Sequence, residues 1–157
     1  MKKLIVPVVT PFREDETVDY AELKRIVRGL FDEGADGIFA GGSSAECFLL
    51  TDEERKKVLE ATVEAADGGF VIAHVGAVGV RRTEEFARHA KRVGADAVAS
   101  VPPFYFGFRY ENIRAYYWAL ADAAELPTMI YYFPANTGAS FDADQMAEIL
   151  LGRENIR

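Results

Sequence analysis

Short apolar runs alternate with longer amphipathic segments along the whole chain. The apolar runs are bounded by glycine or proline, and the segments between them carry apolar residues at helical spacing. Such runs, flanked by helical periodicity, are typical of buried parallel strands. The pattern predicts strands at 4–9, 37–40, 70–75, 97–101 and 128–131. It predicts helices at 19–33, 52–67, 81–93, 111–125 and 142–151.

The predicted strands begin about every 30 residues, which is the spacing of βαβ units in a parallel sheet. A doubly wound sheet and a (β/α)8 TIM barrel both fit this α/β pattern. No Gly-x-Gly-x-x-Gly motif follows the first strand, which weakens the dinucleotide-binding alternative. Polar and aromatic residues follow several strand ends, as they do in a barrel. Since a whole barrel takes about 250 residues, we expect residues 1–157 to be the amino-terminal portion of one barrel domain, with five βα units and 154–157 approaching a sixth strand.

Two features mark the ends of the helices. Thr51 and Glu54 have the spacing of a capping box, which predicts the start of the second helix. The sequence Gly-Ala-Asp follows the first helix at Gly34 and recurs after the third helix at Gly94, two repeat units later. Glycine at this position ends a helix, so each copy predicts a helix stop followed by a strand.

The most informative stretch is the cradle loop, which we define as residues 41–46, Gly-Gly-Ser-Ser-Ala-Glu. Its glycines allow a tight turn and a close approach to a ligand. We expect the hydroxyls and N–H groups of Ser43 and Ser44 to lie at the start of the next helix, where a carboxylate or phosphate is favoured. A plain turn with serines capping that helix is the equally weighted alternative.

Composition narrows the classes of function. The net charge of −7 argues against a nucleic-acid surface. The single cysteine, Cys47, allows no internal disulfide and no multi-thiolate metal site, and two histidines make a poor ligand set, so we expect no metal and no cofactor. The apolar start of the chain is too short for a signal peptide and no membrane-length apolar run follows, which favours a cytoplasmic protein without a membrane partner.

Four other strand ends carry candidate groups, each with a structural alternative. Thr10 precedes a proline and could belong to a simple turn. His74 could be a base, although a satisfied core histidine is favoured. Tyr105 lies in an aromatic loop at 101–106, for which packing or subunit contact is favoured unless Tyr105 has a partner. Tyr131 could place its phenol in a pocket as a proton carrier or could pack in the core.

Taken together, these motifs resemble the dihydrodipicolinate synthase/N-acetylneuraminate lyase family of pyruvate-dependent class I aldolases. The resemblance covers essentially the whole chain and leans toward the lyase branch at 72–76 and 103–105. It is carried by 9–12 (Val-Thr-Pro-Phe), 42–46 (Gly-Ser-Ser-Ala-Glu), 101–105 (Val-Pro-Pro-Phe-Tyr) and 131–134 (Tyr-Tyr-Phe-Pro) with 137–138 (Thr-Gly).

The resemblance implies a role for each matching residue. Ser43 and Ser44 would bind the carboxylate of pyruvate or another 2-keto acid, with Gly42 and Thr10 as further substrate-binding residues. Tyr131 would be the acid/base. Ser43 and Tyr105 would complete a hydroxyl relay, with Tyr105 offered to a neighbouring subunit of a homo-oligomer, which is a tetramer in the family.

Three departures refine this expectation. Ala45 replaces the glycine expected before the motif's glutamate. Asn136 stands where the synthase branch has a carboxylate-binding arginine, so a 2-keto sugar acid lyase is preferred over dihydrodipicolinate synthase, which joins pyruvate to aspartate semialdehyde. The resemblance places the family's imine-forming lysine about three residues beyond Arg157. The chain's six lysines lie before the first predicted strand or on predicted helices, away from the carboxyl ends of the strands. We therefore expect this chain to be inactive alone, with a non-catalytic carboxylate-binding or self-associating half-barrel as the alternative.

Overall fold

The computed structural model describes residues 3–157, in which five parallel strands alternate with helices. The elements are β1 (Ile5–Pro7), α1 (Tyr20–Asp32), β2 (Gly37–Ala40), a 3-10 turn (Ser43–Ala45), α2 (Asp52–Ala66), β3 (Phe70–His74), α3 (Val80–Val93), β4 (Ala97–Ser100), α4 (Tyr110–Ala124), β5 (Thr128–Ile130), α5 (Pro134–Thr137) and α6 (Ala143–Leu151).

Every strand and helix predicted from the pattern is present, with bounds within two residues of the prediction. The capping box also forms, because the Thr51 side chain accepts from the Glu54 N–H while the Glu54 carboxylate accepts from the Thr51 N–H at 2.8 Å. Two short elements were not predicted, the 3-10 turn at Ser43–Ala45 and α5.

The chain divides into two compact units. The first holds residues up to His74 together with Arg92–Asp96, and the second holds Val75–Lys91 together with Ala97–Arg157. In the first unit β1, β2 and β3 pair in parallel in sequence order, with Ile5 opposite Gly37 and Gly37 opposite Phe70. Helices α1 and α2 pack together in this unit and bury Leu23 and Val58.

The repeated Gly-Ala-Asp segments have the same structure in both copies. Gly34 and Gly94 have φ values of +100° and +91°, a left-handed conformation that ends each preceding helix. Asp36 then exchanges two hydrogen bonds with Leu4: its N–H donates to the Leu4 carbonyl at 2.9 Å, and its carboxylate accepts from the Leu4 N–H at 2.7 Å. Asp96 and Val71 exchange the same pair, at 2.9 and 2.8 Å. Each aspartate therefore fixes the amino-terminal start of a strand.

In the second unit β4 pairs in parallel with β5, with Val98 opposite Thr128. Tyr117 and Leu120 of α4 are fully buried in its core. Beyond α6, Ile156 forms a parallel bridge with Thr128, which supports the expected approach of a further strand at 154–157. Within residues 3–157 we find no helix that is both long enough and apolar enough to cross a bilayer.

Candidate active site

The cradle loop follows the carboxyl end of β2. Gly41 turns the chain with φ +68°, and the extended backbone of Gly42 leads into the 3-10 turn at Ser43–Ala45. Ser43 and Ser44 are exposed, whereas Ala45 is fully buried. Glu46 adopts the left-handed conformation at φ 54° and ends the turn.

The serines begin the short 3-10 helix at Ser43–Ala45, and the expectation that they lie at the start of the next helix is wrong for α2, the next long helix. Helix α2 begins at Asp52, and its N-cap is Thr51 rather than a serine. The left-handed Glu46 directs the chain out of the helical conformation, so an intervening turn separates the cradle from α2. The predicted anion binding at this loop would therefore rest on local N–H and hydroxyl groups and not on the dipole of α2.

Thr10 supports the cradle loop from the end of β1. Its buried hydroxyl donates to the carbonyl of Ala45 at 2.8 Å. The only proton of this hydroxyl is donated to the loop, so Thr10 stabilises the loop. Its predicted contact with substrate stays a prediction.

His74, the last residue of β3, lies beside the same loop and is buried. Its Nδ1 lies 3.5 Å from the Sγ of Cys47, and its ring hydrogen-bonds the backbone of Gly41. Burial is the main reason that the pKa of His74 falls from 6.5 to about 3, and the positive charge of Arg55 adds to the decrease. A group that stays neutral in this way agrees with the favoured prediction of a core histidine rather than a base.

Cys47 is a buried thiol and not a nucleophile. Burial raises its pKa above the ordinary value of 9.0, so the sulfur keeps its proton at neutral pH. Within residues 3–157, no group of three or more His, Cys, Asp or Glu side chains is arranged to hold a metal ion.

Tyr131 follows the carboxyl end of β5 in the second unit. Its N–H donates to the carbonyl of Ser100 at 2.9 Å, which fixes the backbone beside the end of β4. Its half-buried ring stacks on Phe133 with 5.9 Å between centroids and 13° between planes.

Tyr105 projects from the aromatic loop after β4. Its side chain is 84% exposed, and its ring meets Phe106 edge to face at 4.9 Å. Its φ of +78° is rare for a bulky residue and marks local backbone strain, which persists where function or surrounding structure requires it.

A buried hydroxyl cluster, formed by Thr83, Ser100 and Tyr116, was missed by the sequence reasoning. The Tyr116 hydroxyl lies 2.7 Å from Ser100 Oγ and 3.0 Å from Thr83 Oγ1. Thr83 Oγ1 also accepts from the Ala77 N–H at 3.1 Å. The available signal was a serine and a threonine at otherwise apolar positions of a strand and a helix.

The predicted site residues fall into two groups. Thr10, Gly42, Ser43 and Ser44 are brought together in the first unit by the bond from Thr10 to the cradle loop. Tyr105 and Tyr131 belong to the second unit.

The described lysines lie where the sequence places them, before β1 or on helices. Lys24 of α1 pairs with Glu64 at 2.6 Å, and Lys91 of α3 pairs with Glu125. Lys56 and Lys57 lie on α2. Lys2, which the sequence places before the first strand, lies outside the described residues.

Parallel βα units whose candidate residues lie beyond the carboxyl ends of the strands define an α/β protein of the (β/α)8 barrel class. The model of the Dihydrodipicolinate synthetase family matches residues 1–157, and the chain belongs to that family. Members of this family are class I aldolases that use pyruvate as a substrate.

Three similar proteins illustrate the match. An N-acetylneuraminate lyase of Escherichia coli is 38% identical over 148 residues, which are 93% of this chain and 50% of that protein. The solved structure of CdNal from Clostridium difficile in complex with mannosamine has a TM-score of 0.95 at 30% identity, over 99% of this chain and 54% of its own. YagE of Escherichia coli K12, solved in complex with pyruvate, has a TM-score of 0.93 at 31% identity, over 99% of this chain and 54% of its own. The chain thus spans about half the length of the relatives it matches.

Proposed function

We propose that this chain supplies the pyruvate-carboxylate site of a lyase that makes or breaks a carbon–carbon bond in a 2-keto sugar acid. The observation that carries the proposal is the position of Ser43 and Ser44 on a loop beyond the carboxyl end of β2. Thr10 holds this loop through its hydrogen bond to Ala45, and the chain belongs to a family that uses pyruvate. N-acetylneuraminate and 2-keto-3-deoxygluconate are substrates of the proposed class. The 38% identity to an N-acetylneuraminate lyase supports this branch.

The cradle loop has the chemistry to bind a carboxylate. Two exposed serines present hydroxyl groups, and each hydrogen bond to a charged group contributes about 1.5–3 kcal/mol. The loop is held by Thr10, so little ordering is needed when a ligand binds.

Tyr131 is the proposed acid/base. A phenol that both donates and accepts a proton during a reaction needs hydroxyl or charged neighbours to act in both directions. The hydrogen bond from its N–H to the Ser100 carbonyl holds its backbone at the strand end. The roles expected for Ser43 and Tyr105 in proton transfer remain predictions.

We further propose that the imine-forming lysine lies outside these 157 residues. A protonated imine, formed with loss of water from the 2-keto group, withdraws electrons and lowers the barrier to cleavage of the bond between the carbons α and β to the imine carbon. The described lysines lie on helices or before β1, away from the carboxyl ends of the strands. The chain by itself then binds pyruvate without forming an adduct.

The test combines binding with trapping. Backbone amide signals of Gly42, Ser43 and Ser44 are followed by NMR during a pyruvate titration, and the chain is then treated with pyruvate and borohydride and weighed. We expect the cradle signals to shift and the mass to stay unchanged. Ser44→Ala should weaken binding about tenfold, whereas Ser140→Ala, an exposed serine after α5, should leave it unchanged.

The outcomes separate the two parts of the proposal. A titration that leaves the cradle signals unmoved contradicts the carboxylate site. A stable adduct on this chain contradicts the placement of the lysine outside it.

We also propose self-association through the aromatic loop. Tyr105 and Phe106 are 84% and 63% exposed, and Val78 and Val80 add further exposed apolar surface in the same unit. Exposed apolar patches of this kind mark protein interfaces. Replacing Phe106 with serine should lower the molecular mass measured by light scattering, and an unchanged mass would count against this surface.

A further inference from the structure

The imidazole of His74 contacts both ends of the cradle loop. On one side its ring hydrogen-bonds the backbone of Gly41, where the loop begins. On the other side its Nδ1 lies 3.5 Å from the Sγ of Cys47, directly after the loop. Five residues that include both serines lie between these two anchor points.

Further contacts hold the histidine itself. Phe39 and Phe48 flank its ring, with centroids at 6.2 and 5.7 Å. Its backbone carbonyl accepts from Arg55 Nη2 at 3.3 Å, which links the end of β3 to α2. The ring is therefore fixed by β2, β3 and the segment that leads into α2.

We propose that His74 is a positioning residue that closes the cradle loop by linking Gly41 to Cys47 and so holds Ser43 and Ser44 ready for a carboxylate. The inference rests on the proposed function of the cradle. It assigns His74 no contact with the substrate and no role in proton transfer.

A neutral histidine suits this task because it carries one donor and one acceptor on the same rigid ring. Burial keeps the imidazole uncharged and keeps the Cys47 thiol protonated. The thiol then donates to Nδ1, which leaves the ring proton on Nε2. A purely apolar ring of the same size would fill the space but would release both ends of the loop.

The experiment compares His74→Phe with His89→Phe. His89 is the chain's other histidine, is also buried, and lies on α3 in the second unit, so it is a matched control for the loss of a buried imidazole. We expect His74→Phe to weaken pyruvate binding about tenfold, equivalent to about 1.4 kcal/mol, and to shift the unliganded amide signals of residues 42–45. His89→Phe should leave both measurements unchanged.

Binding by His74→Phe within twofold of the wild-type chain would overturn the inference, as would an equal loss in His89→Phe. The ring nitrogens give a second readout, because ¹⁵N NMR should show the Nε2-protonated tautomer of His74 in the wild-type chain. The opposite tautomer would also overturn it.

Two variants of Cys47 keep the test decisive if His74→Phe does not fold. Cys47→Ser retains a donor toward Nδ1, whereas Cys47→Val fills similar space without one. We expect Cys47→Val to bind pyruvate about threefold more weakly than Cys47→Ser. Equal affinities would contradict the inference.

A failure of the proposed function would give a different experimental result from a failure of the inference about His74. If the wild-type chain shows no response to pyruvate, the carboxylate site is wrong. The unliganded amide signals of residues 42–45 in His74→Phe and His89→Phe then decide whether His74 positions the loop.

Discussion

The carbonyl oxygen of Ser100 accepts a hydrogen bond from the backbone N–H of Tyr131 at 2.9 Å. The same oxygen accepts from the buried hydroxyl of Tyr117 at 3.0 Å, and the Ser100 side chain meets Tyr116. The backbone of the proposed acid/base is thus hydrogen-bonded to a residue of the buried hydroxyl cluster. Changes in this buried cluster should affect Tyr131 without touching its phenol.

Tyr116→Phe tests the contribution of the hydroxyl cluster to stability. It removes one hydroxyl and leaves the buried side chains of Thr83 and Ser100 with one partner fewer. We expect a loss of about 1–3 kcal/mol in the free energy of unfolding, measured by urea denaturation. Tyr132→Phe is the control, because the side chain of Tyr132 is 40% exposed and water can replace its bond to Phe141. Equal losses in the two variants would contradict a special cost for burial.

The pH dependence of stability follows from His74. Its pKa is about 3 in the folded chain and 6.5 when unfolded, so between these values the unfolded state binds more protons and stability falls as pH falls. The loss should be about 1.5 kcal/mol between pH 6.5 and pH 5. Urea denaturation at both values measures it. His74→Phe should remove most of this slope, and a slope as steep as that of the wild-type chain would assign it to other groups.

The two aspartates of the Gly-Ala-Asp segments should differ in importance. Asp96→Ala removes an acceptor from the N–H of Val71, which is buried in β3, whereas Asp36→Ala exposes the N–H of Leu4 to water. We expect Asp96→Ala to cost about 1.5 kcal/mol of unfolding free energy and Asp36→Ala less than about 1 kcal/mol. Asp96→Asn, which keeps an acceptor oxygen, should recover part of the loss. The reverse order of the two alanine variants in urea would contradict this explanation.

Gly42→Ala tests the space around the cradle loop. A Cβ at this position would lie 2.6 Å from the ring of Phe39, so the ring must move, and that ring also packs on His74. We expect weaker pyruvate binding in the NMR titration. Gly29→Ala is the control, because its Cβ meets no atom within 4 Å inside α1 and should raise stability by about 0.5–1 kcal/mol without affecting binding. Unchanged binding in Gly42→Ala would show that the loop tolerates a displaced Phe39.

The strands and long helices could be predicted from the sequence because the signals that mark them are local. The apolar run at 70–73 lies between Gly69 and His74, and the run at 97–99 lies between Asp96 and Ser100. The capping box at 51–54 marks the start of α2 directly. The short turn at Ser43–Ala45 lacks such a signal. It depends on a left-handed Glu46, a conformation that glutamate rarely adopts and that its sequence neighbours do not specify.

The supports of the candidate site were not predictable, since each joins residues distant in sequence. Thr10 and Ala45 are 35 positions apart, and His74 and Cys47 are 27 apart. Thr10 and His74 could be recognised as polar groups at strand ends. Which atoms they would contact depends on the register of neighbouring strands, which only the structure provides.

The paired hydrogen bonds of Asp36 and Asp96 set strand register from the amino ends of the strands, whereas the cradle loop follows a carboxyl end. A one-residue shift in the register of a strand would turn every one of its side chains to the opposite face of the sheet. The hydrogen bonds of these two carboxylates disfavour such a shift. Strand alignment and the proposed ligand recognition therefore depend on separate positions in the sequence. We expect a directed-evolution library that varies 43, 44 and 46 to alter the proposed ligand preference while strand alignment stays intact.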